Sequence, residues 1–231
     1  MTTIRGARDR ARIEVTAAIK DEARRQLAAE GAAKLSLRAV ARELGMVSSA
    51  LYRYFPSRDD LLTELIVDAY DAVGAAGERA LAAADPADHL ARWTAICTGV
   101  RSWALARPHE YALIYGSPVP GYSAPRRTVG PASRVGVALI SVARDAFDAG
   151  GIALPPLSED LRPEAERLGA EFAPGLPPEV VAALVAAWAQ LFGLVSFELF
   201  GQFNSMVEER EKLFVHAAGR LGREVGLLPG R

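Results

Sequence analysis

Apolar residues recur at helical spacing along most of the chain, and the elements follow from where that spacing starts and stops. Ile13, Ile19, Ala23 and Leu27 mark one face of an amphipathic helix over residues 13–30, which Gly31 ends. Behind Ser36, a good N-cap, Leu37, Val40, Ala41 and Leu44 repeat the pattern. Gly45 supplies the left-handed residue for a turn. A second short helix follows, with Val47, Ala50, Leu51 and Phe55 able to face inward, and Pro56 stops it. Ser57 to Asp60 has capping-box spacing and opens a helix to about residue 81. Its inner stripe is Leu61, Leu62, Leu65, Ile66, Ala69 and Val73, with Gly74 and Gly77 loosening its second half.

Further on, residues 87–106 read as a helix whose Leu90, Trp93, Ile96, Cys97, Val100 and Trp103 mostly share a face. Arg107-Pro108 breaks it, and a short helix runs through Tyr115. Residues 116–132 are too rich in Pro and Gly for a helix. Another helix covers about 132–149. Residues 152–178 read as a proline-bearing, acidic connection with room for one helical turn. Residues 180–200 are the most apolar stretch, long enough for a bilayer. They are Ala-rich and lack flanking basic anchors, so a buried helix is the better reading. A last helix over 206–226 places Met206, Leu213, Phe214, Ala217, Leu221 and Val225 on one side.

Strand-like alternation is scarce, and the pattern as a whole predicts an all-α chain. It divides into a basic arm at 1–12, expected to be flexible, a helix-turn-helix domain with its connecting helix at 13–82, and a C-terminal helical domain at 83–231. The last two helices suit a four-helix dimer interface, for which Leu184, Leu191, Phe192, Val195, Leu213 and Leu221 are the candidates.

Charge adds a polarity that the apolar pattern lacks. Residues 1–60 hold 12 Lys and Arg against 8 Asp and Glu, and the remainder holds 15 against 20. The basic surplus therefore lies at the helix–glycine–helix corner, where DNA would need it. The outer face of that corner offers hydroxyl and cationic donors. Ser36, Arg38, Val47, Ser48, Ser49, Tyr52, Arg53, Tyr54 and Arg58 are the candidates for contact with bases and phosphates.

The run Leu51-Tyr52-Arg53-Tyr54-Phe55-Pro56-Ser57-Arg58, preceded by Gly45 and followed by Leu61-Leu62, resembles the DNA-binding signature of TetR-type transcriptional regulators. That signature usually reads Gly-Val-Ser-x-x-x-Leu-Tyr-x-His-Phe-x-x-Lys-x-x-Leu-Leu. Three positions depart from it: Val47 stands where a Ser or Thr cap is common, Tyr54 replaces His and Arg58 replaces Lys. The resemblance implies an operator-binding homodimer whose C-terminal half senses a small molecule. Around Trp188, Trp-x-x-x-Phe-Gly ending in Phe192-Gly193 is similar to the Trp-x-x-His-Gly mark of one sensor subfamily. The resemblance also implies a ligand pocket, for which Trp93, Arg101, Trp103, Tyr111, Tyr115 and Trp188 are candidates as a set; for any one of them the residues alone favour core packing. The alternative is a DNA-binding dimer whose C-terminal half only dimerises.

The remaining chemistry argues against other classes. The single cysteine, Cys97, excludes an internal disulfide and fits a reducing cytoplasm. His89, His109 and His216 lie in separate elements without metal-ligand spacing. Nucleophile elbow, P-loop and dinucleotide fingerprints are missing. No enzyme, metal, cofactor or membrane association is expected.

Overall fold

The computed structural model describes residues 2–229. Among them ten α-helices form and no β-strand: α1 Thr2–Glu30, α2 Leu37–Glu43, α3 Ser48–Leu51, α4 Arg58–Ala83, α5 His89–Ala106, α6 Pro108–Tyr115, α7 Val129–Asp148, α8 Arg162–Phe172, α9 Pro178–Leu199 and α10 Arg210–Glu224. Helix α1 takes in residues 2–12, read from sequence as a flexible arm. Helix α8 occupies part of the expected connection, started by a proline in its first turn, where the missing N–H costs nothing.

The chain forms two compact units that interleave along the sequence. One comprises Met1–Tyr70 with Arg107–Val129, the other Asp71–Ala106 with Gly130–Arg231. Residues 107–129, which the sequence reading gives to the C-terminal half, thus group with the N-terminal helices. Helix α4 is continuous from the first unit into the second.

In the first unit, α1, α2, α3 and the start of α4 enclose Ile19, Ala23, Leu27, Leu37, Val40, Leu51, Phe55, Leu61 and Leu65. The expected inner faces hold here with two exceptions, since Ile13 and Val47 are exposed. Polar contacts register the helices. Asp68 of α4 receives Lys20 Nζ at 2.7 Å and Arg24 Nη2 at 2.5 Å, both from α1. Tyr111 of α6 is fully buried, and its ring lies 5.1 Å from that of Tyr115, which meets Tyr70 edge-on at 5.9 Å. Burial pushes the Tyr115 hydroxyl well above its usual range. Thr63 donates to the Asp59 carbonyl at 2.7 Å, so the Tyr122 hydroxyl is the donor in its 2.9 Å contact with Thr63.

The second unit is built around Trp93 of α5, whose indole N–H donates to the Ala218 carbonyl of α10 at 3.1 Å. Gly222 of α10 lets the two helices come close, because a Cβ there would lie 2.7 Å from Leu90 and 3.0 Å from Trp93. Helix α7 turns Val135, Ala138, Leu139, Val142, Ala143 and Ala146 inward at helical spacing. The α4 glycines 74 and 77, read as loosening points, are places of close approach instead. A Cβ on Gly74 would sit 2.6 Å from the Cβ of Arg134 on α7, and one on Gly77 would sit 3.3 Å from Ile96 on α5. By length and composition α9 alone among the described helices is long and apolar enough to cross a membrane. It nevertheless carries buried Glu198, which accepts two hydrogen bonds of 2.7 Å from Arg101 of α5. A two-point ion pair of this kind suits the interior of a helical bundle.

Candidate nucleic-acid interface

The corner between α2 and α3 is specified locally. Ser36 Oγ accepts the Ala39 N–H at 3.4 Å and caps α2. Gly45 adopts φ +63°, a conformation in which a side chain would be strained, and Met46 N–H then closes onto the Ala41 carbonyl at 2.8 Å. Val47 begins α3 without a side-chain cap. The helix itself is only four residues long, but tight turns carry the coil to Phe55, with Tyr54 N–H and Phe55 N–H both donating to the Leu51 carbonyl. Leu51 and Phe55 are sunk in the core. Ser57 and Asp60 close a reciprocal cap at the start of α4, at 2.7 Å and 3.1 Å.

This leaves one outward face. Val47 is 70% exposed, and Ser48, Ser49, Tyr52 and Arg53 lie open beside it, with Arg38 exposed on α2. Arg38 and Arg53 have no ion-pair partner among the described residues. Such a face, held rigid from behind by apolar anchors, matches what a major groove accepts: small hydroxyls and an apolar contact for base edges, and free cations and a phenol for phosphates.

Three expected contacts are otherwise engaged. Arg58 Nε donates to the Leu35 carbonyl at 3.2 Å, and Nη2 donates to Ala32 and Ala33 carbonyls at 2.8 Å and 3.4 Å. The fork straps the start of α4 to the segment before α2 rather than facing outward. Tyr54 packs its ring against the core, and the Arg12 guanidinium lies over it at 5.8 Å. Ser36 serves as the cap just described. Arg12 reads from sequence as part of the flexible basic arm, and its place over Tyr54 was not foreseen. Helix α1 holds the arginine in place there instead of leaving it in a tail.

The C-terminal candidates separate. Trp93 and Trp103 are buried on α5, and Arg101 forms the pair with Glu198, with the Phe214 ring 5.4 Å beneath it. Glu198 raises the Arg101 pKa, so that this cation is committed to its partner. Tyr111 and Tyr115 belong to the other unit. Of the six, Trp188 lines an open cavity of about 320 Å³ between α7, α8 and α9. The dimer candidates Leu184, Leu191, Phe192, Val195 and Leu221 are buried within their own protomer, and Leu213 is 38% exposed. In a helix apolar on all sides, composition does not show which face the rest of the subunit already covers.

A core-locked helix-turn-helix with an open donor face, followed by a helical C-terminal unit, defines a DNA-binding regulator. The comparisons agree at both ends of the chain. Residues 19–65 match the family model for bacterial regulatory proteins of the tetR family, and residues 93–221 match that of the tetracyclin repressor-like C-terminal domain. The HTH-type transcriptional regulator Rv1816 of Mycobacterium tuberculosis is 44% identical over 213 residues, 87% of either chain, as is Mb1846 of Mycobacterium bovis. Among solved structures, SCO4313 is 34% identical with a TM-score of 0.78, covering 92% of this chain and 97% of its own. The chain belongs to the TetR family of transcriptional regulators.

Proposed function

We propose that this protein is a cytoplasmic homodimeric repressor, released from its operator by a small molecule. The observation that carries the reading is the outward face of Arg38, Val47, Ser48, Ser49, Tyr52 and Arg53, exposed while Leu51 and Phe55 anchor the same segment. Ser48 and Ser49 read base edges, and Tyr52, Arg53 and Arg38 hold phosphates. TetR-family regulators bind operators as dimers, and the exposed side of α9 suits that role. Ala186, Ala189, Gly193 and Phe197 follow one another at helical spacing on it, and a Cβ added to Gly193 would meet nothing within 4 Å. A mid-helix glycine that its own subunit leaves open costs about 1 kcal/mol relative to alanine. Close approach by a symmetry-related α9 explains its use. Two recognition segments would then meet major grooves about one helical turn apart, ~34–36 Å, or a multiple of it. A ligand preferring the conformation whose spacing does not fit lowers operator affinity by its differential binding energy.

The test is footprinting on DNA upstream of the protein's own gene, with the alanine variant of Tyr52 and Arg53 as control. Symmetric protection lost in the variant supports the reading. Protection that survives the double substitution refutes the assigned face. Operator binding that no candidate ligand changes, in a chain whose melting no ligand shifts, leaves a dimer that binds DNA constitutively.

A further inference from the structure

The cavity between α7, α8 and α9 has a lining with no ionisable side chain. Val137 and Ile140 of α7, Phe172 of α8, and Val185 and Trp188 of α9 form its walls. Phe172 and Trp188 are 58% and 42% exposed. The one hydroxyl, Ser133 Oγ, already donates to the Gly130 carbonyl at 2.8 Å. Gly136 keeps the hollow open. It lies in the middle of α7 and lines the cavity, yet a Cβ on it would meet no atom within 4 Å. Packing within the subunit therefore does not demand this glycine, and alanine would favour the helix. Its absent side chain leaves room in the cavity. A volume of 320 Å³ stands at the small end of ligand sites, roughly 300–1,000 Å³.

The same helix is tied to α4. Arg134 Nη1 donates to Asp71 Oδ1 at 2.8 Å and to the Asp71 carbonyl at 3.0 Å, while Nε and Nη2 reach both Glu78 oxygens at 2.9 Å and 2.6 Å. Asp71, Gly74 and Glu78 share one stripe of α4, and Gly74 lets the stem of Arg134 lie against it. Arg134 is thus bolted to α4 at positions two turns apart, two residues from Gly136.

We propose that this cavity binds a small, uncharged, mostly hydrocarbon or aromatic molecule, and that Arg134 passes its occupancy from α7 to α4. The proposal rests on the ligand-released repressor reading above and gives that ligand a site and a chemical class. An occupant wedged between α7 and α9 shifts α7. The two-point clasp of Arg134 makes α4 follow, and α4 runs on unbroken to Arg58 beside the DNA-reading corner. Arg134 is a positioning residue here and touches neither ligand nor DNA.

The experiment uses the full chain with N-phenyl-1-naphthylamine, an uncharged aromatic probe, followed by its own fluorescence and by quenching of tryptophan emission. Wild-type protein should bind it saturably. Gly136→Leu, whose Cβ meets nothing within 4 Å and whose side chain would occupy the cavity, should weaken probe binding on the order of tenfold or more while the melting temperature and operator affinity hold. The probe should weaken wild-type operator binding by about fivefold or more, within the usual range of allosteric coupling. Arg134→Leu should still bind probe and operator separately but lose that antagonism. Probe binding undiminished in Gly136→Leu overturns the site. Wild-type protein that binds operator but not the probe overturns it too. So does a cavity covered by a second copy, seen as a wild-type dimer that Gly136→Leu turns into monomer. Antagonism undiminished in Arg134→Leu, or probe binding that leaves wild-type operator affinity unchanged, overturns the coupling. A protein that binds probe in the cavity but no DNA fails the repressor reading while leaving the site intact.

Discussion

Arg58 offers the sharpest test of how the DNA-reading corner is held, because its residue type suggests one role and its geometry another. A cation at this position reads as a phosphate contact, yet its guanidinium donates to the carbonyls of Ala32 and Leu35 at 2.8 Å and 3.2 Å. Hydrogen bonds from a charged donor contribute about 1.5–3 kcal/mol each when buried. This side chain keeps 29% of its surface in water, so about 1 kcal/mol per bond, some 2 kcal/mol in all, is the reasonable discount. In a chain of this size that is roughly 4–8 °C in Tm. Lysine has one ammonium where arginine has a fork, and cannot reach both carbonyls together. Arg58→Lys is therefore expected to lose most of that stability despite keeping the charge. Operator binding should weaken in both Arg58→Lys and Arg58→Ala, but the slope of log K against log salt should match wild type, because no phosphate contact has gone. A lost phosphate contact would flatten the slope by about 0.9. Thermal melts and binding titrations from 50 to 300 mM salt on the order of those used for such slopes decide the matter. If Arg58→Ala melts like wild type and flattens the slope by about one unit, the strap is wrong and Arg58 faces DNA.

Three other expectations follow from particular contacts. Phe197→Glu, on the outer side of α9, should give a folded monomer by sedimentation with specific operator binding lost, whereas Leu191→Glu buries a charge in the protomer's own core and should fail to fold; a dimer surviving Phe197→Glu would remove α9 from the interface. Arg101→Met leaves the Glu198 carboxylate buried without its partner and should cost about 3–5 kcal/mol in urea unfolding, most of it recovered in Arg101→Met with Glu198→Leu; equal losses in single and double variants would contradict this. Burial pushes the Cys97 thiol up to about 12, so it should resist thiol reagents at pH 8 until the chain unfolds. The unfolded thiol ionises near pH 9. Between that pH and about 12 unfolding releases a proton that folding holds back, and this group should lower stability by about 1.4 kcal/mol per pH unit. Rapid labelling of the native protein would refute the burial.

What could be read from the sequence is what local chemistry dictates. Ser36, Gly45, Pro56 and the Ser57–Asp60 box each act within four residues, and all of them place the corner where the structure has it. The inner stripe of α4 was equally legible, since one face of an otherwise polar helix is apolar. Where a helix is apolar all round, periodicity loses its information. Leu184, Leu191 and Val195 look no different in sequence from Val185, Ala189 and Phe197, and only the packing of α5, α8 and α10 decides which are covered. Helix α8 was hidden for the opposite reason, having few large apolar residues between flanking prolines. Aromatic identity did not separate core from cavity either, because Trp93 and Trp188 differ by their neighbours and not by their own chemistry.

The interleaving of the two units has a genetic consequence. Residues 107–129 supply Tyr111, Tyr115 and Tyr122 to the unit that contains the DNA-reading corner, although 36 residues of the other unit, Asp71–Ala106, come between. No single crossover in the gene can therefore exchange the reader whole. A hybrid joining residues 1–82 of one regulator to the remainder of another would seat a foreign α6 against α1, and the mismatch would surface as misfolding rather than as altered ligand choice. Exchange of specificity by recombination requires two segments to travel together. New operators are more readily reached by point substitution on the open face around Ser48, where the side chains are exposed.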